Sequence, residues 1–286
     1  MAATKSALTY APSVRARRLA RSLKEARQRA GLTAVQAAAR LGWSQPKISH
    51  IENGRTKPGV EDVEVMLTLY GITSPERDAL LTLTREAERR GWWTNYADVF
   101  TGSYVALEDE ASLIREWEPQ IVPGLLQTQD YAREVIRAGR PHVDEHELRR
   151  RVMARMARQT LLRREPEPPH LHAVLDEAIL RRPIGGWDLM KDQLRHLSKE
   201  ARRPNVTLQV LPFAVGAHAG LEGLFIVLSF PEESDPDVVY TEGIYGDVYL
   251  ESPEEIKRCT LAFEELCEMA LSPEESVALI DAAAGD

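Results

Sequence analysis

From Val14 onward, Leu19, Leu23, Ala26 and Ala30 recur at i, i+4, i+7 and i+11, the spacing of a single helix face, with Arg15, Arg18, Arg21, Arg27 and Arg29 largely off that stripe. Gly31 ends the run. Thr33 is placed to cap a short alanine-rich helix that reaches Leu41 and closes at Gly42. Ser44 caps a third helix over about Gln45 to Glu52, with Pro46 in the first turn, where a missing N–H does no harm. Asn53-Gly54 is a turn signal, and Val63, Met66, Leu67 and Tyr70 form a fourth amphipathic face. A fifth helix opens at Ser74-Pro75 and runs to about Arg90. The pattern predicts an all-α domain of five helices over residues 14–90, preceded by a loose arm, 1–13, that has no clear period.

The texture changes after Gly91. Trp92, Trp93, Tyr96, Phe100 and Tyr104 crowd thirteen residues, which favours the start of a second core over an aromatic ligand cage. ASLIREWEPQIVP reads as extended, Thr128 caps a helix that stops at Gly139, and Asp144 opens a longer one to about Arg164. HLHAVLDEAIL, VTLQVLPF, GLFIVLSFP and DVVYTEGIYGDVYLE carry β-branched alternation, the last with a hairpin at Gly243 to Asp247. Helices from about Pro253 to Leu271 and after Ser272-Pro273 close the chain. Residues 91–286 are therefore expected to form an α+β domain, with no internal repeat.

Length and composition agree with two globular domains: 286 residues, 43% hydrophobic and 28% charged. No run approaches the roughly 18 apolar residues of a membrane span, and the N-terminus lacks the apolar core of a secretory signal, so the expected place is the cytoplasm, away from membranes. Cys259 and Cys267, eight apart on one helix, make neither a disulfide framework nor a closed zinc site and read as buried free thiols. The net charge of −8 conceals an asymmetry. Residues 1–58 hold twelve Lys or Arg against Glu25 and Glu52, an excess of ten positive charges, and the remainder holds 24 basic and 42 acidic residues. A polyanion-binding module joined to a domain with another task has this polarity.

Helices two and three, joined by a tight glycine turn, form a helix-turn-helix. Ile48 and Ile51 share the buried face of the second, so Gln45, Lys47, Ser49 and His50 point mostly outward. Amide, ammonium and hydroxyl groups near the start of such a helix are equipped to read base edges in a major groove.

These segments resemble a known family. GLT, LGWSQPKISHIENGR and KPGVEDVEVMLTLYGI, from about Arg18 to Ile72, are similar in order and spacing to the XRE/Cro-type phage repressor DNA-binding domain. RRGWW, WEPQIVPGLLQTQDYAREVIRAG, LDEAILRRPIGG, NVTLQVLPF and the Tyr/Glu-rich hairpin resemble a C-terminal domain of unknown function carried by antitoxin-like regulators of actinobacteria. The resemblance implies a DNA-contact set of Thr33, Gln36, Ser44, Gln45, Pro46, Lys47, Ser49, His50, Asn53 and Arg55. In that set Asn53 and Arg55 belong to a loop whose backbone N–H groups and basic side chain hold phosphate, and the helix capped by Thr33 turns its N-terminus to phosphate. It implies further that Arg27 and Glu52 form a structural ion pair between helices. Two departures, Ala34 beside the cap and Pro46 on the recognition helix, leave fewer direct base contacts. Double-stranded DNA is the expected partner, a second copy of the chain is expected because one short recognition helix covers few base pairs, and the resemblance implies a small protein encoded by an adjacent gene; no cofactor is expected.

Other readings compete. Arg149 to Arg151, Arg155, Arg158, Arg163 and Arg164 extend a DNA footprint in one reading. Leu148, Val152 and Met156 beside them favour an amphipathic helix with a solvated face. His170 and His172 share one face of a strand, with Asp176, Glu177 and His218 as companions of metal-ligand type. H-E-x-x-H, G-x-S-x-G and P-loop signatures are missing, so the chain is expected not to be an enzyme and to bind no metal. A one-component sensor, with the C-terminal domain binding a small molecule, is the remaining alternative.

Overall fold

The computed structural model describes residues 13–88, 92–96, 98–100, 104–232, 235–244 and 246–285. The chain divides between Asn95 and Tyr96 into two compact units. No helix among the described residues is long and apolar enough to cross a membrane.

The N-terminal unit is all-α. Helix α1 (Val14–Arg29) begins at Ser13, whose hydroxyl accepts from the Ala16 N–H; this residue of the expected arm is the helix cap, and 1–12 lie outside the described residues. Helix α2 (Ala34–Leu41) follows, then α3 (Gln45–Glu52), α4 (Val60–Tyr70) and α5 (Glu76–Glu88), the expected end of the last at Arg90 also lying outside. Leu19, Leu23, Ala26, Ile48, Ile51, Val63, Met66 and Leu67 converge in one core. Burial of each of the larger aliphatic side chains contributes about 1.5–3 kcal/mol. Ala30, expected on the stripe of α1, caps its C-terminus and is exposed.

The second unit is α+β around a six-stranded sheet of order β3-β2-β1-β4-β5-β6. Strands β1 (Leu113–Glu118), β2 (His170–Asp176) and β3 (Val206–Leu211) are parallel, while β4 (Phe225–Ser229), β5 (Val238–Gly243) and β6 (Gly246–Leu250) continue antiparallel. Helices α6 (Tyr104–Glu110), α7 (Gln129–Gly139), α8 (Glu145–Arg158), α9 (Ala178–Arg181), α10 (Trp187–Glu200), α11 (Pro253–Met269) and α12 (Pro273–Ala284) complete it. One sheet face closes through Trp117, Val174 and Leu211 against Phe263 and Leu266 of α11. The β3 edge is occupied: the Val210 N–H donates to the Ser276 hydroxyl, and the Val210 carbonyl accepts from the Leu271 N–H. Trp117 donates its ring N–H to the Gly220 carbonyl at 2.9 Å, and a Cβ at Gly220 would lie 2.5 Å from that ring, so only glycine fits there.

Several expectations change. The helix after Asp144 leaves α geometry at Arg158 and tightens into a 3-10 turn over Gln159–Arg163, short of Arg164. Of the five clustered aromatics only Tyr104 is buried, ring to ring with Tyr240 at 4.1 Å. Trp92, Trp93, Tyr96 and Phe100 are half-buried and meet in edge-to-face pairs, Trp92 with Trp93 and Tyr96 with Phe100. Helices α6, α9 and α10 are additional, α9 taking the Ala178–Leu180 end of a stretch expected to be extended. In α10, Met190, Leu194 and Leu197 carry a helical period, diluted by buried polar positions Gln193, Ser198 and Glu200.

Candidate nucleic-acid interface

A glycine turn and a capping box set the geometry of α2 and α3. Gly42 sits at φ +68°, a left-handed backbone that lets the Gly42 N–H return to Ala39 and the Trp43 N–H to Ala38 before the chain enters α3. At the start of α2, Thr33 and Gln36 form a reciprocal capping box: the Gln36 N–H donates to the Thr33 hydroxyl, and the Gln36 Oε1 accepts from the Thr33 N–H at 2.9 Å. That fixes the side-chain oxygen of the exposed Gln36. No carbonyl of the helix itself can reach the N–H groups of Ala34 and Val35 at this end.

Ser44 caps α3 through the Lys47 N–H. Ile48 and Ile51 are almost fully buried and anchor the helix, and Gln45, Pro46, His50 and Asn53 are exposed on the other side. Ser49 is half-buried and accepts, through its hydroxyl and carbonyl, from the Asn53 side-chain amide at 3.2 and 2.7 Å. With about 100° per residue, Gln45, Ser49 and Asn53 lie within about 80°, and Pro46 and His50 extend the same face. Lys47 falls about 160° from Ser49, beside Ile51 rather than among the outward groups. Its ammonium is 2.9 Å from Asp62 Oδ1 and 3.6 Å from the centre of the Trp43 ring. Both acidic residues of the first turn of α4, Glu61 and Asp62, stand where the helix end favours negative charge.

The loop after α3 differs from the phosphate-holding arrangement expected of it. The Asn53 N–H donates to the Ser49 carbonyl, that of Gly54 to Ile51, and those of Arg55 and Thr56 both to His50. These donors close the end of the helix, because its last carbonyls need partners too. Asn53 has also committed its side-chain amide to Ser49. Of the two exposed cations on this loop, Lys57 donates to the Ala87 carbonyl at 3.4 Å, and Arg55 makes no ion pair among the described residues.

The expected structural pair is present. Arg27 donates from Nε and Nη2 to the two Glu52 oxygens, each at 2.7 Å, and from Nη1 to the Leu32 carbonyl at 2.6 Å. Both side chains are more than nine-tenths buried. Its hydrogen bonds to Glu52 hold the Arg27 guanidinium above its ordinary range. Tyr70 is buried nearby, and burial, with the Glu52 charge second, pushes its hydroxyl up to about 12. Arg29, on the same helix, is paired with Glu76.

The second basic concentration lies on an amphipathic helix and the turn after it, with Leu148 and Val152 buried and Arg149 and Arg163 exposed, and its arginines are engaged by neighbouring groups. Arg150 pairs with Asp98, Arg151 with Glu147, Arg163 with Glu200, and Arg149 lies against Glu145, while Arg164 donates to the Asp109 carbonyl. Arg158 turns inward to Glu108, with Nη2 to Oε1 at 2.6 Å, and Arg155 reaches Gln127 at 2.9 Å. Beneath them the buried Glu116 and Glu118 of β1 share one strand face. Burial is the first cause that raises both carboxyl groups above the ordinary range, and their proximity to each other adds to it for Glu118. This layer escaped the sequence reading because its charges come from a strand, two helices and a loop.

The metal-type residues are each committed elsewhere. His170 Nε2 meets Thr207 at 2.9 Å, and His172 Nε2 meets Gln209 at 2.8 Å and the Cys267 sulfur at 3.6 Å. Asp176 accepts from the Ala178 N–H, Glu177 from Phe213 and Arg181, and His218 from Gly220. Among the described residues no group of three His, Cys, Asp or Glu side chains is arranged to hold a metal ion. Cys259 and Cys267 are free and half-buried, less enclosed than expected, and burial moves the Cys267 thiol up to about 11.

Comparison with known proteins gives two matches. A helix-turn-helix domain matches residues 18–80, and a domain of unknown function, DUF5753, matches residues 101–282. No curated protein and no solved structure matches the chain.

Proposed function

Since this chain belongs to the family defined by the domain of unknown function DUF5753 and carries a helix-turn-helix domain ahead of it, we propose that it is a sequence-specific DNA-binding transcriptional regulator of the XRE/Cro type. The observation that carries this reading is the division of α3: two buried isoleucines on one side, and exposed Gln45, Pro46, His50 and Asn53 with half-buried Ser49 on the other. Gln45 and Ser49 offer amide and hydroxyl groups to base edges, and Pro46 makes apolar contact with a thymine methyl. His50 follows them along the groove. Gln36, the open N–H groups at the start of α2, Ser44 and Arg55 hold the flanking phosphates.

One eight-residue helix covers few base pairs, so the working form is a dimer on half-sites about 34–36 Å apart. The acidic C-terminal unit supplies the dimer contact or meets a small protein encoded by an adjacent gene, as in an antitoxin-like pair. The regulator works in the cytoplasm and has no catalytic role. Genome-wide mapping of bound DNA, read with the neighbouring genes, tests the assignment. It is lost if the folded protein shows no salt-sensitive attachment to any duplex. Pull-down with the neighbouring gene product separates the antitoxin-like form from a small-molecule sensor, which a metabolite thermal-shift screen would reveal instead.

A further inference from the structure

We infer that Trp43 and Asp62 are positioning residues that set the strength and salt dependence of DNA binding: they hold the Lys47 ammonium on the flank of α3 and keep it off the DNA phosphates, so that the helix meets the duplex through neutral groups. The inference rests on the DNA-binding reading above.

Three observations converge. Lys47 is the only lysine or arginine of α3, and its helical position lies on the Ile51 side rather than on the outward face. Its ammonium is held from two directions, by the Asp62 carboxylate at 2.9 Å and by the Trp43 ring at 3.6 Å. Both holders are set by the fold: Trp43 is tied to α2 through its N–H on the Ala38 carbonyl and packs against the core, and Asp62 belongs to the first turn of α4.

The consequence follows from how duplexes are bound. Non-specific binding comes almost wholly from cations that displace counterions from phosphates, whereas specific binding adds hydrogen bonds to base edges. A lysine neutralised within the protein therefore withholds one phosphate contact from every duplex, operator or bulk, and lowers affinity and salt sensitivity together. One phosphate contact changes the slope of log K against log salt by about −0.9, which at 0.1 M salt is about eight-fold in affinity.

The test uses the full chain and a random-sequence duplex, with affinity measured over a series of salt concentrations. Native protein is compared with Asp62→Asn, Lys47→Ala, the double variant and Arg55→Ala, with melting curves to establish that each is folded. Asp62→Asn is expected to steepen the slope by about 0.9 and to tighten binding about eight-fold at 0.1 M salt. Lys47→Ala in the native background leaves the slope unchanged, and the double variant returns to the native value. Trp43→Leu, which keeps an apolar contact and removes the ring face, steepens the slope in the same direction by less. The inference is overturned if Lys47→Ala alone flattens the slope, since the lysine would then already be on a phosphate. It is also overturned if Asp62→Asn has no effect, or if its gain survives in the double variant, which would mean lost carboxylate repulsion. Absence of salt-dependent binding in native protein and Arg55→Ala alike is a different result, and it removes the DNA-binding reading along with the inference.

Discussion

Replacing Arg27 by alanine removes three donors at once: two on the Glu52 carboxylate and one on the Leu32 carbonyl. What remains is a carboxylate with a side-chain exposure of 4%, buried beneath α1 and α3 without a counter-charge. Loss of one partner from a buried pair costs about 3–5 kcal/mol, far more than the net worth of the intact pair, because the desolvated survivor has nothing to replace what it lost. For a domain of this size each kcal/mol lowers the midpoint by about 4–8 °C, so the N-terminal unit should melt at least roughly 12 °C lower. Hydrogen exchange on the full chain locates the effect: amides of α1 to α4 lose protection, and those of β1 to β3 keep theirs. Arg27→Met with Glu52→Leu, which removes both charges and preserves volume, should recover most of the loss. Melting of Arg27→Ala within a degree or two of the parent, or a double variant as unstable as the single one, would refute the burial argument.

Arg55→Ala should flatten the salt slope by about one unit without altering the preferred sequence, as measured by titration against operator and random duplexes. Gly220→Ala drives a methyl into the Trp117 ring and should destabilise the C-terminal unit by about 1–3 kcal/mol, read from tryptophan fluorescence in urea. Glu116, raised by burial against a partly offsetting Arg158, lends stability below the ordinary carboxylate range and loses it as pH rises through its raised folded value. Glu116→Gln should accordingly leave the midpoint unchanged near pH 4 and raise it near pH 8, and an equal gain at both would disprove the raised carboxyl.

Much was legible in the chain because it depends on near neighbours. The helix boundaries of the N-terminal unit follow from Ser44, Thr33, Gly31 and Gly42, each acting within a few positions, and the outward placing of Gln45 and His50, though not of Lys47, follows from the place of Ile48 and Ile51 three residues apart. The strands were visible as β-branched alternation, and the Asp144 and Thr128 caps lay where helices start. Tertiary structure decided what each polar group does, since a partner distant in sequence leaves no periodic trace. Lys47 is engaged by a carboxylate fifteen residues away, Arg158 by one fifty residues away, and His172 by an amide thirty-seven residues away. Pattern along a chain reports which face of a helix or strand is buried; whether a charge on the other face is open or already neutralised depends on which elements the fold sets beside it.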